Sequence, residues 1–314
     1  MSRGVDTALA ILNGLVGDHL ARTGNGLALS MELVHAGKPL PVTREALRAA
    51  HPSATDRVAL LVHGAMGTEA NWAFPDGSDY GSLLARDLGF TPLYLRYNTG
   101  RAIADSGAEL DALLQELVGA YPATLRELVP VCFSMGGLVL RAASHQASLQ
   151  GHGWLEEVRR AIYIGTPHRG SPVERAGRVV ARTLRAIPDP YTQLLGQLGD
   201  LRSAGIRDLG DADLRHEDRV REAGLMLRDP AHPVPLLASV EHFLIAGSLS
   251  ADPRLAMLFG DALVPVPSAT GDGCFHANQP LPPSHVHLIR GVAHPRLAHH
   301  PEVYAQLRRW LEAP

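Results

Sequence analysis

The sequence predicts an α/β fold built on a mostly parallel sheet flanked by helices. Two patterns carry that expectation. Short, nearly continuous apolar runs recur at Arg57–His63, Arg160–Ile164 and Glu241–Gly247, as strands buried on both faces should read. Segments with helical spacing lie between such runs, so strand and helix alternate in the manner of βαβ units.

Taken in order, Val5, Ala8, Leu12, Leu15 and Leu20 fall near helical spacing and predict an amphipathic helix packed on the body. A secretory signal is disfavoured there, because Asp6 offsets Arg3 and Asn13-Gly14 interrupts the apolar stretch. Residues 1–56 therefore read as an N-terminal helical extension, and 57–314 as the main body. Within the body the first strand, Arg57–His63, runs into His63-Gly64-Ala65-Met66-Gly67, with His63 read as a structural histidine that hydrogen-bonds this loop. A helix around Ser82–Leu88 and a strand at Pro92–Tyr97 follow. The next helix, near Ala108–Tyr121, carries Leu110, Leu113, Leu114, Leu117 and Val118 on one face. After Val129–Leu140 comes the strand Arg160–Ile164. Between about 172 and 235 no strand pattern interrupts, and the span reads as a helical insertion above the sheet. One helix is expected through Ala176, Val180, Leu184 and Ile187. Shorter ones from Leu194 to Leu209 are broken by Gly196, Gly199 and Gly205, before a polar loop or exposed helix from Asp211 to Glu222. The sheet resumes at Glu241–Gly247, a loop carries Asp261–Ala269, and a last strand at Val286–Ile289 precedes a terminal helix over Glu302–Leu311.

Composition narrows the class. The 314 residues are 46% hydrophobic and 19% charged, ample for a globular core, and a net charge of −3 offers no footprint for nucleic acid. Two cysteines, Cys132 and Cys274, make no disulfide framework, and no apolar run reaches the length of a bilayer span. A cytoplasmic protein with no cofactor is the expectation, with nothing indicating a membrane surface.

The chemistry concentrates on Val129-Pro130-Val131-Cys132-Phe133-Ser134-Met135-Gly136-Gly137. A β-prone run enters a serine flanked by small residues, and a helical pattern starts at once, which is how a nucleophile elbow reads. Gly136 and Gly137 suit the tight turn; Cys132 stands where glycine is usual, and Pro130 is unexpected in a central strand. A serine needs a base and a group to orient that base. Of sixteen histidines, His294 is favoured because it lies in a turn after the last strand, while His285 and His287 suit a structural role and His299 and His300 an exposed one. Asp261 precedes an apolar run and can be buried under an imidazole; Asp252 and Asp272 are its rivals in polar loops. A zinc site among His276, His285, His287 and His294 lacks a convincing ligand spacing.

These residues resemble the α/β-hydrolases of the lipase/esterase group, and are most similar to the bacterial branch resembling glycosylphosphatidylinositol inositol-deacylases. The likeness rests on His63-Gly64-Ala65, Cys132-x-Ser134-x-Gly136, Gly165-Thr166-Pro167-His168-Arg169-Gly170-Ser171, Gly260-Asp261-x-x-Val264-Pro265, and His294 followed by His300-Pro301-Glu302-Val303-Tyr304. It implies a Ser134–Asp261–His294 triad, oxyanion donors at the backbone N–H of Ala65 and Met135, and ester hydrolysis, with acyl transfer or amide hydrolysis as alternatives on the same triad. A non-catalytic binding module on the same fold is the remoter reading. The expected partner is a small ester or lipid-like molecule. Met66, Val180, Leu184 and Leu194 are candidate substrate contacts, the last three on the insertion, read as a lid.

Overall fold

Among the residues described by the computed structural model (3–171, 203–220, 234–250, 252, 260–272 and 281–312), the centre is a twisted eight-stranded sheet. Its strands are β1 (Glu32–His35), β2 (Lys38–Leu40), β3 (Arg57–Val62), β4 (Thr91–Arg96), β5 (Glu127–Phe133), β6 (Arg160–Ile164), β7 (Glu241–Ser248) and β8 (Val286–Arg290). They lie in the order β2-β1-β4-β3-β5-β6-β7-β8. From β4 to β8 every pairing is parallel, while β1 runs antiparallel to both β2 and β4. The expected mostly parallel α/β architecture is therefore present.

Strand β5 shows why the apolar runs are unbroken. All seven of its residues are buried, because both faces of the sheet are covered. Leu128 and Cys132 enter the core on one face, with α4 (Ile103–Ala120) and α5 (Met135–Gln150). Val129, Val131 and Phe133 enter the core on the other, with α3 (Tyr80–Leu88) and the terminal helix Pro301–Glu312. Pro130 is accommodated by a break in the ladder. Leu128 bridges Val158, pairing with β6 resumes only at Val131↔Ile162, and so two residues of β5 face three on the other side. The missing proline donor falls in that bulge.

The N-terminal expectation needs correction. Residues 1–56 are helical only in part, in α1 (Arg3–Arg22) and α2 (Arg44–Ala50). Between them β1 and β2 form a hairpin whose turn residues Ala36 and Gly37 have φ of 49° and 76°, as a tight two-residue hairpin turn requires. Strands of four and three residues give no readable alternation, and their identity comes from pairing with β4.

Charge holds the opposite end of the sheet. Buried Glu127, at the start of β5, accepts from Arg57 Nε at 3.2 Å and from Arg160 Nε at 2.7 Å. The same two arginines donate to the carbonyl of Leu311 near the end of the terminal helix. Burial alone would raise the Glu127 carboxyl, but hydrogen bonds and charge from Arg160 and Arg57 hold it below its ordinary value.

Part of the expected insertion is described. It contains α6 (Ala204–Asp211) and a 3-10 turn at His216–Val220. Gly205 was expected to break a helix but lies inside α6. A Cβ there would come within 2.2 Å of Thr99 O and 2.6 Å of Arg101 O, so the glycine permits close packing on the loop after β4.

Candidate active site

Ser134 sits between β5 and α5 with φ 53° and ψ −124°, a conformation costly for any residue but glycine. Its N–H donates to Ile164 O of β6 at 2.8 Å, which fixes the turn across the sheet. The surroundings leave no room for larger residues. A Cβ on Gly136 would lie 2.6 Å from His63 O, and one on Gly137 2.2 Å from Thr166 Oγ1. One on Gly64 would approach Ser134 Cβ to 2.8 Å, so the loop after β3 lies directly against the serine. Cys132, where glycine was expected, is fully buried between Val62 and Tyr163 on the neighbouring strands, and burial pushes its thiol up.

The last strand, β8, delivers His294 at the start of α7 (His294–Leu297). Its Nε2 lies 2.8 Å from Ser134 Oγ and its Nδ1 2.7 Å from Asp261 Oδ2. A carboxylate only accepts, so Nδ1 carries the proton and Nε2 is left to accept from the serine hydroxyl. The ring stacks obliquely on Phe133 at 4.9 Å. Gly165, at φ 59°, leaves it space, since a Cβ there would meet His294 Cε1 at 3.0 Å. Asp261 is wholly buried. Its other oxygen accepts the N–H groups of Leu263 at 3.1 Å and Val264 at 2.9 Å, and its carbonyl accepts His294 N–H at 3.0 Å. Ala262 takes φ 84° to close this turn.

The rivals lie elsewhere. Asp252 and Asp272 are exposed; His285 packs on Phe243 at 4.2 Å, and His287 lies 3.7 Å from Glu302. His63 is buried, bonded by Nδ1 to Gly64 O at 2.9 Å and stacked on Tyr97, and burial lowers its pKa to about 4. It hydrogen-bonds its loop, as expected. His299 was expected to be exposed but is half-buried, because the short helix before it turns the ring back toward Asn71 O, at 3.3 Å. Among the described residues there is no group of three metal-ligating side chains, and no helix is long and apolar enough to cross a membrane.

A cleft of about 470 Å³ opens over Ser134. Ala65 and Met66 both line it; Val180, Leu184 and Leu194 lie outside the described residues. Its apolar wall comes instead from Phe133, Pro167, Ile206, Leu209, Leu263 and Val264. Among the described residues no Asp, Glu, Lys or Arg lines it; Asn71 and His299 supply a polar side. Neither Ile206 nor Leu209 was read from the sequence as a cleft residue, although their spacing of three was available as a signal. The Gly165–Ser171 string ties the parts together. Ser171 Oγ donates to Leu263 O at 2.6 Å, beside the acid, while His168 N–H and Arg169 N–H donate to Ser268. Buried Arg141 of α5 donates to Val234 O at 2.6 Å and lies against His168, whose pKa burial and this charge drive well below the ordinary value.

No protein-family profile matches the chain, and no curated protein does. Solved structures do. The mature form of the Bacillus licheniformis lipase BlEst2 superposes with a TM-score of 0.52 at 17% identity, over 81% of this chain and 91% of that one. Its propeptide form gives 0.51 at 16%, over 90% of this chain and 54% of that one, so this chain spans about half of that form. The Pyrococcus furiosus esterase PF2001 aligns at 14% identity over 82% of this chain and 81% of that one, with a TM-score of 0.49. Sheet order and superposition together define the class: the chain has an α/β-hydrolase fold. At these identities the likeness fixes the architecture and leaves the chemistry to the site.

Proposed function

We propose that the protein is a serine hydrolase that cleaves carboxylic esters, with Ser134 as nucleophile, His294 as base and Asp261 as the group that orients it. The observation that carries this reading is the continuous relay from Ser134 Oγ to His294 Nε2 at 2.8 Å and from Nδ1 to Asp261 Oδ2 at 2.7 Å, opening on an apolar cleft. In this reading Ser134 Oγ attacks the ester carbonyl carbon while its proton passes to His294 Nε2. The buried Asp261 carboxylate stabilises the imidazolium without taking the proton. The oxyanion is received by the N–H groups of Ala65 and Met135; Met135 opens α5, where an N–H has no carbonyl one turn back to bind. His294 then gives the proton to the leaving alcohol, an acyl-serine remains, and water activated by the same imidazole releases the acid.

The uncharged, mostly apolar lining favours an uncharged acyl chain, each buried methylene adding about 0.8 kcal/mol until the cleft is full. With α6 on its wall, the 172–235 span is read as a lid or cap. The Gly165–Ser171 string allies the chain with the inositol-deacylase-like branch, for which deacylation of an acylated inositol is the finer test. A fluorophosphonate probe should label the native protein at Ser134, and p-nitrophenyl ester turnover should rise from acetate to a medium chain and then fall. Absence of labelling would overturn the hydrolase reading; a profile falling from acetate onward would overturn the acyl cleft alone.

A further inference from the structure

Four separate pieces of chain converge here, the loop that carries Ala65 and Met66 among them. Met66 has φ 57°, a conformation that a methionine holds only under constraint. Its N–H donates to Thr99 Oγ1 at 3.0 Å, and Gly67 N–H closes the turn on Gly64 O at 3.2 Å. Thr99 itself is 1% exposed, on the loop between β4 and α4. That loop is clamped to the N-terminal helix: Asn98 Nδ2 donates to Gly17 O at 2.9 Å, and Gly100 packs so closely that a Cβ would lie 2.1 Å from Asn13 O. On the same helix a Cβ at Gly14 would lie 2.4 Å from Met66 Cγ and 3.2 Å from Thr99 Oγ1. The fourth piece is α6, whose capping Ser203 donates to Gly14 O at 2.7 Å and whose Gly205 N–H donates to Gly100 O at 3.0 Å.

From this convergence we infer that Thr99, braced by α1, is a positioning residue that sets the Ala65–Met66 loop for transition-state binding. The inference rests on the hydrolase reading above. The Thr99 hydroxyl is the side-chain group that engages the Met66 N–H, one residue beyond the donor assigned to the oxyanion. Without it the Met66 peptide is free to rotate out of its left-handed conformation, and the Ala65 N–H loses its aim. Loss of aim weakens binding of the developing oxyanion more than binding of the neutral ester, so the defect falls on kcat. The same helix touches Met66 on one side and caps α6 on the other, so it also sets the distance between the oxyanion loop and the Ile206 wall.

The test uses Thr99→Val, which keeps the shape and removes the acceptor, beside Thr99→Ser, which keeps the acceptor. For a medium-chain p-nitrophenyl ester, Thr99→Val should lower kcat about tenfold or more with KM within about threefold, and Thr99→Ser should restore most of it. Gly14→Ala, which pushes on Met66, should lower kcat in the same way, whereas Gly4→Ala, with nothing near its Cβ, should not. Thermal melts are measured on every variant. Equal losses in the Val and Ser variants, a loss confined to KM, or no loss at all would each overturn the positioning role. Should Thr99→Val fail to fold, the kcat of Gly14→Ala against Gly4→Ala decides alone. If the native protein itself takes no fluorophosphonate at Ser134, both readings fall; if it is labelled and these variants match it, only this one does.

Discussion

The two ends of the same three strands are built on opposite principles. At their N-terminal ends β3, β5 and β6 bring buried Glu127 and the partly exposed Arg57 and Arg160 into one ionic cluster that also holds the last carbonyls of the terminal helix. At their C-terminal ends the same strands open into Gly64-Ala65, Ser134 and Gly165, where glycines, positive φ and backbone hydrogen bonds replace charge. One end is over-determined by charge–charge contacts that resist disassembly. The other is held by close backbone approach, with the Ser134 hydroxyl bonded to His294 rather than to a charge on these strands. Ion pairing and the proposed reactive turn thus lie at opposite ends of the strand axis, and variants at the two ends should fail in different ways.

The largest effect belongs to the reactive end. On the proposed triad Ser134→Ala should lower ester turnover by about four orders of magnitude or more with an unchanged melt, because its members act as a unit, and Asp261→Asn should be milder, because the orienting carboxylate is the less critical member. Substantial residual hydrolysis in purified Ser134→Ala would erase the distinction between the ends. The mirror experiment is Glu127→Ala. Removing one partner of a buried pair costs about 3–5 kcal/mol, read as a lower denaturant midpoint, while kcat of the folded enzyme should stay near the native value. A kcat loss without a stability loss would show the cluster to be coupled to the site.

Acid should weaken the structure through histidines that the fold keeps neutral. Burial lowers His63 and His242 to about 4, and His168 is held well below its ordinary value. The unfolded chain binds these protons near pH 6.5 and the folded chain does not, so stability is fullest above about pH 6.5 and falls as pH drops toward 4. Each buried histidine contributes at most about 3 kcal/mol over that window. Denaturant melts at pH 7 and 4.5 should differ by several kcal/mol, and a flat profile would mean that the rings reach water. The smallest effect is at Cys132. Cys132→Gly should keep activity, Cys132→Leu should crowd the turn, and iodoacetamide should leave the native thiol unmodified, as its burial requires. Rapid alkylation of Cys132 would place it at the reactive surface instead.

How much of this was legible depended on where each residue's constraint arises. β3, β6 and β7 announce themselves because burial on two faces demands apolar runs, and Ser134, Asp261 and His294, singled out by the motifs around them, lie within hydrogen-bond reach of one another. The β1–β2 hairpin was missed because four- and three-residue strands, one holding Pro39, take their identity from the β4 edge they pair with. Gly205 was read as a breaker because a glycine needed for close approach and one that ends a helix look alike in one dimension. Thr99 and His299 gave no signal, since each matters only through a neighbour more than twenty residues away, Met66 or Asn71.

The hairpin has a consequence for the autonomy of the body. β1 pairs with β4 through Glu32↔Arg96, Leu33↔Leu95 and Val34↔Tyr94, and Leu33 and Val34 are buried in doing so. A chain shortened to begin at Arg57 would uncover the β4 edge, a row of unanswered amides and carbonyls beside apolar side chains. Such an edge is a template for any other extended chain, itself included. The first fifty-six residues act as a stopper on the sheet as well as a brace for the site, and the body without them is expected to self-associate.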